Sequence, residues 1–178
     1  MQRAITSLVA SALVAVALGA AAVWASSPHG GHDGHRSARR CAAEFDQVVG
    51  SGRGFGMAFV ADQQGYPGPM HVLELADRLG LTAEQERRAR ELMDAMFTAS
   101  RPRSAALLDA ERRLRALFAS GAADEESVRV AVAEVERARA ELRMVHLRAH
   151  LAARDLLTAE QRSAYHEARW GADAGRRP

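Results

Sequence analysis

From Met70 to Trp170, apolar residues recur at intervals of three and four, the spacing that lays one stripe along an α-helix. Val72, Leu75, Ala76 and Leu79 form the stripe of a short first helix, and Gly80 supplies its stop. Ala89, Leu92, Met93, Met96 and Phe97 mark a second helix, opened by Thr82. The run "SRPRS" at 100–104 is expected to break or kink it, since proline lacks an amide donor and restricts the residue before it. Leu107, Leu108, Leu114, Leu117 and Phe118 carry a third helix, ending at Ser120-Gly121. Asp124 caps a fourth that reaches Leu156 on a stripe of Val128, Val132, Val135, Ala138, Leu142, Val145 and Ala149. A short last helix runs to Trp170, and 171–178 is expected to be a disordered tail. No segment shows the alternation of strands. The expected fold is all-α, an elongated antiparallel hairpin of four to five helices within a 70–170 domain.

The chain before Met70 is patterned differently. Ile5 to Ala25 carries no charge and ends in Val23-Trp24-Ala25, so 1–25 reads as a secretory signal peptide, with an uncleaved membrane anchor as the alternative. Either way the remainder is expected outside the cytoplasm. Residues 26–69 are rich in Gly, Ser and His and end on the breaker "YPGP". They read as a flexible leader with one short helix near Ala42 to Val49.

Composition narrows the options. All 24 basic residues are Arg, against 22 acidic residues, and the two signs interleave along helix faces. That pattern lacks the clustered basic footprint of a nucleic-acid-binding protein. Cys41 is the only cysteine, which rules out an internal disulfide and leaves a free thiol or a link between two chains. Helices this long and thin leave apolar surface uncovered, and a homodimer would bury it.

The candidate chemistry lies in the histidines. His146 and His150 stand one helical turn apart, so both rings project from one face and could chelate one ion; the alternative is a solvated polar pair. His71, just past the breaker, is a third candidate, and Glu86 and Glu91 are candidate oxygen donors. Such a set suits zinc, nickel, cobalt or copper. Leu147 stands where a metalloprotease HExxH motif needs its glutamate, and nothing marks a cleft with a water-activating group, so an enzyme is not expected. His29, His32 and His35, spaced by glycines, form either an auxiliary metal-collecting tail or a linker. The methionines are too scattered along the sequence to form a copper(I) motif.

Two phrases repeat. Leu81, Thr82 and Gln85 in "LGLTAEQ" return as Leu157, Thr158 and Gln161 in "LLTAEQ". Each has capping-box spacing, in which Thr and Gln each satisfy a backbone N–H left open at a helix start. This pairing in an all-α chain with a leader resembles the Spy/CpxP family of periplasmic LTxxQ-motif proteins. That family includes zinc-resistance-associated proteins and heavy-metal sensors of the CnrX type. The resemblance implies a hairpin protomer dimerised into a curved cradle. It also implies either a divalent-metal-binding stress-response role or ATP-independent holding of unfolded proteins, with an adaptor that restrains a membrane-bound stress sensor as a further possibility. In the metal-sensor branch, histidines near the first long helix join an H-x-x-x-H or H-x-x-x-M pair on a later one. His146 and His150 match the later pair; His71 matches one earlier histidine, but its i+4 place is Leu75.

Overall fold

The structure, a computed structural model, describes residues 31–171. Seven helices and no strand occur among them: α1 (Gly31–Gly50), α2 (Phe59–Gln63), α3 (Pro69–Glu74), α4 (Ala76–Leu79), α5 (Ala83–Ala119), α6 (Glu125–Leu156) and α7 (Ala159–Trp170). The protein is all-α. The signal-peptide reading of 1–25, His29 and the tail at 172–178 lie outside the described residues, while the backbone of His32 and His35 belongs to α1. No helix among the described residues is long and apolar enough to cross a membrane.

Among the described residues, those from Ala42 onward form one compact unit, and those up to Cys41 belong to a separate one. The former is built on the hairpin of α5 and α6, which pack along most of their length. The turn between them is short because Gly121 takes a left-handed φ of 72° and Asp124 immediately caps α6 through the Ser127 amide. Two apolar clusters fill this unit. Val49, Leu107, Ala110, Val135, Ala138 and Leu142 form one; Val72, Leu79, Ala89, Ala153, Leu157 and Tyr165 form the other. Along α6 the segment from Val145 to Ala149 separates them, and His146 and His150 occupy that stretch.

Three sequence expectations need correction. The "SRPRS" run does not end a helix: α5 continues through Pro102 for 37 residues. Ser100 and Ser104 are fully buried there, the Ser100 hydroxyl donates to the Gly52 carbonyl (2.9 Å), and Arg103 donates to the Ala99 carbonyl (2.8 Å). Packing on both sides outweighs the one backbone bond that proline forfeits. The first short helix is in fact two, α3 and α4, interrupted at Leu75 (φ −107°, ψ 16°). The third correction concerns the leader. From Ala42 onward it is part of the compact unit: Val49 is completely buried, Ala58 and Asp62 nearly so, and the breaker prolines Pro67 and Pro69 are buried as well.

The repeated phrases meet in space. Thr82 and Thr158 each cap a helix by accepting from the backbone N–H of Gln85 and Gln161 respectively, and each glutamine oxygen accepts from its threonine's N–H. The two side-chain amides then bond each other reciprocally, Gln85 Nε2 to Gln161 Oε1 at 2.8 Å and Gln161 Nε2 to Gln85 Oε1 at 3.0 Å. Gln85 Nε2 also donates to the Leu156 carbonyl at the end of α6 (3.0 Å), one of the carbonyls that a helix end leaves open. One polar knot thus ties the start of α5, the end of α6 and the start of α7. Leu81 and Leu157 pack in the adjoining apolar cluster.

Candidate functional site

His146 and His150 are both buried, at 5% and 9% exposure, although each is flanked on α6 by ordinary helix formers. What buries them is glycine backbone. A Cβ on Gly54 would stand 2.9 Å from the His146 ring, and one on Gly68 would stand 3.0 Å from His150 Nε2. A Cβ at Gly54 would force the His146 ring or the backbone to shift, and one at Gly68 would press tightly on His150, so the segment before α2 and the breaker before α3 lie directly on the two imidazoles.

The rings are oriented as well as covered. His150 Nδ1 lies 2.6 Å from the Tyr66 carbonyl. A carbonyl only accepts, so Nδ1 carries the proton and Nε2 keeps its lone pair, the arrangement by which ligating histidines are commonly fixed. His146 Nε2 is buried and has no hydrogen-bond partner among the described residues. Burial, and then the neighbouring His150, hold the His146 imidazole below its ordinary pKa, against the pull of the Gly52 carbonyl. Burial also lowers His150, more than the Tyr66 carbonyl and Asp62 raise it. Neutral rings are the form that binds metal.

The two rings line one pocket of about 260 Å³, together with His71, Asp62 and Arg169. Asp62 is 4% exposed and fully engaged, accepting the Tyr165 hydroxyl and Arg169 Nε (3.0 Å). Burial, with Asp62 beside it, pushes the Tyr165 hydroxyl far above its usual range, so it remains a donor. Arg169 reaches on to His71 Nε2 at 3.0 Å, and His71 Nδ1 meets Glu74 at 2.8 Å. Because guanidinium only donates, His71 Nε2 accepts and Nδ1 donates to Glu74. The polar chain therefore runs Tyr165–Asp62–Arg169–His71–Glu74.

Sequence reasoning brought three of these groups together and missed others. His71, His146 and His150 do share the pocket. Glu86 and Glu91 do not: on α5, Glu86 accepts from Arg90 (2.5 Å), and Glu91 pairs with Arg87 and borders a separate groove with Leu92 and Asp155. The carboxylate in the histidine pocket is Asp62, which lacked any periodic context to mark it. Gly54 and Gly68 were also missed; glycine inside structured backbone signals close approach as readily as flexibility. Cys41 is exposed.

Among the described residues, no three His, Cys, Asp or Glu side chains stand close enough together to hold an ion. The donors still suit a transition metal in kind. Of the two buried imidazoles, His150 presents its Nε2 lone pair and His146 has an unpartnered Nε2, while the third imidazole is capped by Arg169, which would have to move for His71 to ligate. No curated protein and no solved structure matches the chain. A family model described as heavy-metal resistance does match, over residues 52–164, the span that holds the glycine cover, the histidines and the paired LTxxQ phrases. The chain belongs to this heavy-metal resistance family, one of the Spy/CpxP-like helical proteins.

Proposed function

We propose that this is a periplasmic metal-binding protein of the heavy-metal stress response, a sensor or modulator and not an enzyme. His146 and His150 would hold a transition metal, zinc, nickel, cobalt or copper, and His71 would complete the set once Arg169 withdraws. The observation that carries this reading is the pair of buried, neutral imidazoles on α6, one with its Nε2 left without a partner. An unpartnered buried nitrogen costs about 1–3 kcal/mol, a cost that a bound cation would remove. Arg169 meets His71 through a terminal nitrogen and buried Asp62 of α2 through Nε, so a shift of the guanidinium away from His71 would bear on its bond to Asp62 and couple metal binding to the seating of α7.

A second reading, ATP-independent holding of unfolded proteins, is favoured by exposed apolar side chains on the hairpin. Phe118, Val130, Val132, Met144 and Leu151 are all between 42% and 59% exposed. The same surface suits a homodimer or a membrane-bound stress sensor as partner. Isothermal titration of the full chain with zinc, nickel, cobalt and copper separates the readings. The expected result is one tight site that His146→Ala with His150→Ala abolishes. Unchanged tight binding in that variant, with suppression of client aggregation in the absence of metal, would favour the holding role instead.

A further inference from the structure

We infer that the histidine pocket selects a soft monovalent d10 cation, copper(I), over divalent metals, and that Met57, Met70 and Met96 supply the selectivity. This rests on the proposed metal-binding role and specifies its ligand. The three methionines are far apart in sequence, yet all of them line the pocket that His71, His146 and His150 line. Each comes from a different piece of the fold: Met57 from the glycine-rich segment, Met70 from the first turn of α3, and Met96 from the middle of α5. All three are partly buried, and their thioethers are soft, polarizable and uncharged.

Charge argues in the same direction as softness. The hard donor in the pocket, the Asp62 carboxylate, is already taken up by Arg169 and the Tyr165 hydroxyl. The other charged side chains on the wall are Arg53 and Arg169, both cationic, and His146 and His150 are neutral. A divalent ion would bring two positive charges against these arginines with no free carboxylate to offset them. A monovalent ion brings half that charge. Copper(I) is also satisfied by imidazole and thioether donors in low coordination numbers, without a third nitrogen or oxygen ligand. No set of three His, Cys, Asp or Glu side chains is assembled here among the described residues, whereas nitrogen and sulfur donors share one pocket.

Silver(I), redox-inert and of the same preference, is the direct probe. The titration uses the full chain carrying Cys41→Ser and His29→Ala, His32→Ala and His35→Ala, which removes the exposed thiol and the leader histidines as competing sites. Silver(I), and copper(I) under anaerobic competition with a chromophoric chelator, are expected to bind at one equivalent. Met57→Leu, Met70→Leu and Met96→Leu together should weaken silver(I) by about tenfold or more while changing zinc(II) less than about twofold. Thermal melting of this variant checks its fold, and single Met→Leu variants replace it if it melts early. Zinc(II) or cobalt(II) bound through His146 and His150 more tightly than silver(I) would overturn the selectivity and leave the metal-binding role standing. Binding of neither class would overturn both. Silver(I) affinity unchanged in the methionine variants would also overturn the inference.

Discussion

At the scale of single residues, the site is made by what is absent beside two histidines. Gly54 and Gly68 lack the atom that would strike the His146 and His150 rings. Gly68 has φ −75°, which alanine also adopts, so Gly68→Ala tests contact alone. Overpacking of this kind costs about 1–3 kcal/mol, and the variant should lose that stability in chemical denaturation and bind metal more weakly. A variant as stable and as avid as the parent would show that the backbone does not bear on the ring. The buried rings also set a pH dependence. His146 and His150 are both held below the ordinary value of 6.5, so the unfolded chain takes up protons first. The stability linked to them is complete above pH 6.5 and is lost as pH falls toward their folded values. Denaturation midpoints should therefore drop as pH falls below about 6.5, and the drop should shrink in His146→Gln with His150→Gln. An equally steep drop in that variant would assign the effect elsewhere.

At the scale of elements, the stripes of α5, α6 and α7 were legible because each helix buries one face, and Thr82, Asp124 and Thr158 announce their starts in the sequence. Pro102 misled because local propensity is a weak prior once a helix is clamped on both sides, here by Ser100 on Gly52 and by α6. The glycine-rich leader misled for the opposite reason. Its lack of periodicity is what close backbone packing requires, and composition does not separate that from flexibility. The LTxxQ phrases were readable singly as caps, but their joining is a long-range fact. Gln85 and Gln161 form one knot, so their removal should not be additive. Gln85→Ala and Gln161→Ala should each cost about 1–3 kcal/mol, and the double variant markedly less than the sum of the two. Additive losses in a double-mutant cycle would mean two independent caps.

At the scale of the whole molecule, the histidine pocket sits where several elements converge: α6 gives the paired rings, α3 gives His71, α2 gives Asp62, and α7 gives Arg169. Sequence spacing pointed to the α6 pair because two histidines one turn apart share a helix face, and to His71 because it stands just past the breaker. It could not locate Asp62 or Arg169, whose 107-residue separation is closed only by folding. This convergence gives the chain a place where a bound ion would be felt by α2, α3, α6 and α7 together. X-ray absorption at the metal edge of the loaded full chain tests that claim most directly. Imidazole nitrogen is expected in the first coordination sphere and should be lost in His146→Ala with His150→Ala. A coordination sphere free of imidazole, or one unchanged by that double substitution, would contradict it.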